Sequence, residues 1–290
     1  MRVALPAGLV VAIRVLAAVF TYVAVFDTTA LVMFAVGLAV VPDEARGTFG
    51  LIGVGVAEAA ALATVIVFWC VLDRRRLRSL GLNRELAKQQ WLRGAGVGAL
   101  MMGFIVLAWY TLVDGATWDV NTNALRAGLV VVAGLVGFVV QGSAEELLFR
   151  GYVLTNLQEQ WGLRWAIAVS AAGFALFHIR NPAINPLALV NLVLFGIATA
   201  LYKVRVDHGQ LWGVCAIHTV WNWLQQIVFG LPNSGLTTSK EDVLFSVTPN
   251  ATLPDPIWGG GFGPEGTLAA SLVLLALIGA ILRQPARAKR

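Results

Sequence analysis

Three ionisable residues, Glu145, Glu146 and Arg150, close a long apolar run in the stretch QGSAEELLFRGYVL at 141–154. Two histidines follow in separate apolar segments, His178 in FALFHIRNP and His218 in CAIHTVWNWLQQ. His218 and Asn222 are four residues apart, so a helix projects both from one face. Glu146 and Arg150 share that spacing in the favourable acid-first order and are set to pair. Glu145 lies about 100° around the helix from Glu146 and is left free for another task. Buried together, Glu145, His178, His218 and Asn222 would satisfy one another's hydrogen bonds. They would also supply the acid, base and electrophilic groups that hydrolysis needs. Plainer readings exist: charges snorkelling at a membrane edge, and histidines bonded within packed helices. The third histidine, His208, falls in the polar turn KVRVDHGQ and reads as a solvated loop residue.

The elements that must position these groups are set by composition. The chain is 58% hydrophobic and 13% charged, against about 25% charged in soluble domains. This is the balance of an integral membrane protein. An ionisable group at the centre of a span costs roughly 2.5–3.5 kcal/mol, so three at 145–150 must face protein, water or each other. Apolar runs near 51–72, 93–113, 126–149, 164–180, 184–203, 210–231 and 267–283 read as membrane helices. Residues 7–41, interrupted by Arg14 and Asp27, read as one crossing plus an interfacial piece. The expected fold is an all-α integral membrane bundle of about eight transmembrane helices around a polar intramembrane chamber.

The basic loop DRRRLRSLGLNRELAK at 73–88 and the basic tail RQPARAKR place both on the cytoplasmic side. Residues 1–120 would hold N-terminal helices and that loop, and 121–290 the catalytic core and tail. The net charge of +5 is mostly orientation signal, because the basic residues cluster at membrane edges. That speaks against a nucleic-acid partner. Cys70 and Cys215 stand far apart in apolar runs and suggest packing rather than a disulfide or metal framework. The N-terminus has no clean cleavage site and reads as a retained first span. The glycine-rich turn near 258–266 follows no strand and lacks GKS, so it is no phosphate loop. No internal repeat of the transporter kind is visible.

Weaker signals remain. Glu58 is a single acid in the second span, lining a chamber or lying near the outer interface. NPAINP at 181–186 is a turn, and Asn191 is placed to bond a neighbouring helix or the site. Trp221 and Trp223 flank Asn222 and could shape a groove. NAT at 250–252 fits a glycosylation acceptor only by a short pattern.

EELLFR fits EExxxR, FALFH fits FxxxH and HTVWN fits HxxxN. In this order the three motifs resemble the CPBP family of intramembrane proteases, named for CAAX proteases and bacteriocin-processing enzymes and also called Abi. The resemblance implies a helical bundle with a polar chamber in the membrane. By resemblance, Glu145 activates a water with His178, His218 and Asn222 bind the water or stabilise the oxyanion, and Glu146 and Arg150 hold the site together.

Two routes stay open. Glu145, His178 and His218 match a His₂Glu zinc site in ligand type. Yet HExxH is absent and the ligands would come from three helices. The same groups work without metal if Glu145 is the general base, and this route is favoured. The expected substrate is a membrane-embedded peptide or protein, such as a leader or bacteriocin-like peptide, in a prokaryotic cell membrane. The alternative is a non-proteolytic binding or immunity protein on the same fold.

Overall fold

A computed structural model describes residues 5–41, 46–112, 117–248 and 253–285. The helices run α1 (Ala7–Val40), α2 (Arg46–Val67), α3 (Leu77–Leu80), α4 (Ala87–Leu112), α5 (Ala124–Glu146), α6 (Leu154–Trp161), α7 (Leu163–Phe177), α8 (Pro186–Leu201), α9 (Trp212–Trp223), α10 (Asp255–Trp258) and α11 (Leu268–Arg283). Wider π turns continue four of them, at Phe68–Leu72, Leu147–Val153, Tyr202–Val206 and Leu224–Val228. Two short strands, β1 (Thr117–Val120) and β2 (Phe245–Thr248), pair antiparallel. They are a small addition to the expected all-α bundle.

Five described segments are long and apolar enough to cross a membrane: Ala7–Val40, Ile52–Leu72, Ala87–Trp109, Ala124–Trp161 and Pro186–Val206. Leu163–Phe177 and Leu268–Arg283 are apolar but shorter. Residues 7–40 form one unbroken helix rather than a crossing followed by an interfacial piece. Its two charges do not break it because each has a partner on another segment. Arg14 Nη1 reaches Asp73 Oδ1 at 3.3 Å, and Asp27 Oδ2 accepts from Arg180 Nη1 at 3.0 Å. The segment expected at 126–149 runs on to Trp161, because α5 passes through its π turn into α6 without a stop. Asn250 of the NAT pattern and the end of the basic tail, 286–290, lie outside the described residues.

Close packing places the helix that carries His218. α9 lies against α4 and α5. Gly94 and Gly98 of α4 sit against the α9 backbone. A Cβ on Gly98 would meet the Ile217 carbonyl oxygen at 2.7 Å, and one on Gly94 would overlap the backbone of Gly213. Small residues that let backbones touch are how apolar helices associate where lipid offers no hydrophobic driving force. At the start of α9, Asp207 accepts from Gly213 N at 3.0 Å and pairs with Arg93 of α4 at 3.0 Å. Burial raises this carboxyl to about 6 although Arg93 and the Gly213 amide oppose the rise.

α8 is secured over its first two turns. Asn185 caps it by accepting from Ala188 N at 2.9 Å, with Pro186 as the first helical residue. Asn191 joins α8 to α11: its Nδ2 donates to the Glu265 and Thr267 carbonyls at 2.7 and 2.9 Å, and its Oδ1 accepts from Ser271 Oγ at 2.7 Å.

Candidate active site

Glu145 and Glu146 end the regular part of α5, where the helix widens into the π turn that carries Arg150. Such turns often occur at functional sites. The neighbouring glutamates point to different partners. Glu146 is fully buried. Its Oε2 lies 3.3 Å from Arg150 Nε, and its Oε1 lies 3.0 Å from His218 Nδ1. Arg150, also fully buried, sets its guanidinium 4.3 Å over the Phe174 ring. A cation with no access to water thus gains a carboxylate and an aromatic face.

Glu145 is 3% exposed and turns toward both histidines. Its Oε2 is 3.7 Å from His178 Nε2 and 4.0 Å from His218 Nε2. The far nitrogen of each ring is committed. His178 Nδ1 lies 2.9 Å from the Phe174 carbonyl, and His218 Nδ1 faces Glu146. Both Nδ1 atoms meet acceptors, so both must carry hydrogen there, and a neutral ring then presents its Nε2 lone pair. Two imidazole lone pairs and a carboxylate oxygen therefore converge from three elements. Their separations are too long for direct hydrogen bonds and suit a bridging water.

The four polar residues expected to satisfy one another do not do so directly. Asn222 Nδ2 donates to Gln141 Oε1 at 3.0 Å, and Gln141 Nε2 donates to Glu145 Oε1. Gln141 is thus the link between Asn222 and Glu145. The sequence contained its signal, since Gln141 stands one helical turn before Glu145 on the same face. Among the described residues the second Nδ2 hydrogen of Asn222 has no acceptor, and Asn222 lines the same cavity as Glu145, His178 and His218.

That cavity measures about 1460 Å³ and is lined mainly by apolar side chains of α1, α2, α5 and α7. Phe174 and Phe195 wedge the histidines: Phe174 lies 4.7 Å from the His178 ring and Phe195 5.2 Å from the His218 ring. Trp221 lines the cavity, whereas Trp223 turns away and donates to the Val131 carbonyl at 2.9 Å. Glu58 lines it as well, joined at 2.6 Å to the hydroxyl of Tyr22. Nothing in the largely apolar α1 sequence singles out Tyr22.

At another part of the cavity wall, Glu265 follows the glycine-rich turn. It accepts from Ser234 N at 2.6 Å, Ser234 Oγ at 3.0 Å and Gln225 Nε2 at 3.3 Å. Burial nevertheless lifts its carboxyl to about 7.

The donor types fit zinc better than their placement does. Tetrahedral bonds of about 2.0–2.1 Å set ligand atoms about 3.3–3.4 Å apart. Here the carboxylate-to-imidazole separations are 3.7 and 4.0 Å. Among the described residues no group of three His, Cys, Asp or Glu side chains is disposed to hold a metal ion.

Fold and site together define a helical membrane protein with a buried glutamate–histidine centre in an apolar cavity. Residues 127–224 match the family model described as type II CAAX prenyl endopeptidase Rce1-like. All seven residues named in the sequence motifs lie within this segment. No curated protein matches the chain.

Proposed function

We propose that the protein is an intramembrane endopeptidase that hydrolyses a membrane-associated peptide by a metal-free, glutamate-dependent route. The observation that carries this reading is the convergence of Glu145 Oε2 with the Nε2 atoms of His178 and His218 inside a buried cavity. The match to a protease family over 127–224 supports it.

A water held among these atoms gives one hydrogen to Glu145 and the other to His178, which aims an oxygen lone pair at the substrate carbonyl. As the C–O bond forms, Glu145 takes the proton. The oxyanion accepts from the free Nδ2 hydrogen of Asn222. His218, its Nδ1 fixed by Glu146, faces the same oxygen and donates when Nε2 carries a proton. Glu145 then returns its proton to the leaving nitrogen as the C–N bond breaks. Gln141 fixes Glu145 and Asn222 relative to each other. Glu146 and Arg150 are positioning residues, acting through His218.

The test is cleavage in reconstituted membranes. Wild type and Glu145→Ala meet a pool of membrane peptides that includes leader peptides and a prenylated C-terminal peptide, with and without chelator. Product from wild type alone, insensitive to chelator, is the expected result. Product lost on chelation and restored by zinc overturns the metal-free route. Identical peptide profiles for the two proteins overturn proteolysis and favour a binding role.

A further inference from the structure

The cavity has a second buried carboxyl that the reaction above does not use. Glu58 is 3% exposed, and its Oε2 accepts from the fully buried Tyr22 hydroxyl at 2.6 Å. Tyr22 in turn stands edge-on to Phe177 at 5.9 Å, directly before His178. The first two helices are thereby joined to the catalytic wall. Among the described residues Glu58 has no cationic partner, and Oε1 accepts no hydrogen bond.

The other charges lining the cavity are already engaged. Asp27 holds Arg180, and Asp242 holds Arg126 at 2.8 Å. Glu265 is bonded to Ser234 and Gln225. Arg180 is the one lysine or arginine among the described lining residues. Glu58 and Glu145 therefore face one largely apolar-lined space, with no lysine or arginine among the described residues committed to either.

Two carboxyls facing one low-dielectric space disfavour each other's ionisation, and a cation entering between them relieves both. A neutral donor would satisfy Oε1 but leave the like charges uncompensated. We propose that Glu58, held by Tyr22, is a specificity-determining residue that reads a lysine or arginine side chain on the membrane segment of the substrate. This rests on the reading of the cavity as a peptide-binding site.

The test separates recognition from hydrolysis. The full chain carrying Asn222→Ala, which removes the oxyanion donor and keeps both carboxyls, is placed in nanodiscs, and fluorescent single-span peptides are titrated in. Peptides come in pairs that differ only by lysine or norleucine at one position, scanned along the apolar segment. At one or two adjacent positions lysine should bind about tenfold tighter, a gap of about 1.4 kcal/mol. Adding Glu58→Gln should shrink the gap to within about twofold. Its amide oxygen can still accept from Tyr22, so the fold is kept, and thermal midpoints check this. Tyr22→Phe should give an intermediate gap. No lysine preference at any position, or a preference that survives Glu58→Gln, overturns the proposal. Cleavage by the wild-type protein is read separately: its absence would sink the protease reading and leave the binding preference standing or falling on its own data.

Discussion

The neighbouring acids Glu145 and Glu146 should separate activity from stability. Removing the Glu146 carboxylate leaves Arg150, fully buried, with the Phe174 and Phe195 rings in place of a paired carboxylate. Breaking one side of a buried pair typically costs about 3–5 kcal/mol. His218 Nδ1–H also loses its acceptor at 3.0 Å, a further cost of about 1–3 kcal/mol if no water replaces it. Glu145→Ala loses one bond from Gln141 and removes an acid whose Oε2 has no hydrogen-bond partner. Its net effect should stay within about 1 kcal/mol. At roughly 2–4 °C per kcal/mol, Glu146→Ala should lower the thermal midpoint by roughly 10–30 °C and Glu145→Ala by at most a few degrees. The ten tryptophans give the fluorescence signal. Activity should vanish in Glu145→Ala with the fold intact. The double change Glu146→Leu with Arg150→Met should recover much of the stability lost in Glu146→Ala, because no charge is then left unpaired, while remaining inactive. Equal destabilisation by the two single changes would refute the division of labour.

Gln141→Leu keeps the helix but cuts the link from Asn222 to Glu145; kcat should fall at least about tenfold with little change in KM, and an unchanged kcat would show that the link is idle. Gly98→Val pushes a side chain into the Ile217 carbonyl, so α9 must shift; a loss of about 1–3 kcal/mol, with activity reduced through His218 and Asn222, is expected in a combined melting and cleavage assay. Glu265 has its carboxyl raised to about 7. Its folded form binds a proton that the unfolded chain does not, so its contribution to stability is full below the unfolded value near 4.3 and is lost as pH rises through about 7. Thermal midpoints of the wild type minus those of Glu265→Gln should therefore decline between pH 5 and pH 8; a difference that rises with pH would contradict this.

Much of the site could be read from spacing because helices convert spacing into direction. Four-residue intervals placed Glu146 beside Arg150 and put His218 and Asn222 on one face. Spacing could not supply the contacts between helices. That His218 takes Glu146 on its far nitrogen, and that Asn222 reaches Glu145 through Gln141, depends on how α5 and α9 approach. That approach is set by Gly142 of α5, where a Cβ would meet Thr219 N at 2.9 Å, while Gly94 and Gly98 of α4 fit the other side of α9. Glu58 is visible as a lone acid, but its partner is not, since one tyrosine in a largely apolar helix carries no pattern. The continuity of α1 is hidden for a related reason. Arg14 and Asp27 looked like interruptions because their partners, Asp73 and Arg180, lie 59 and 153 residues away.

That unbroken first helix has a mechanical consequence. Its 34 residues rise about 51 Å at 1.5 Å per residue, some 20 Å more than a typical hydrocarbon layer of about 30 Å. Phe20, Leu31 and Phe34 are exposed along it, so the helix has lipid-facing surface over much of its length. A helix of this length must lean or protrude, and how far depends on bilayer thickness. Tyr22 rides on it. Thickness therefore sets the pose of the cavity wall opposite Glu145, and reconstitution in lipids of graded acyl length becomes a way to tune substrate recognition without altering a single residue.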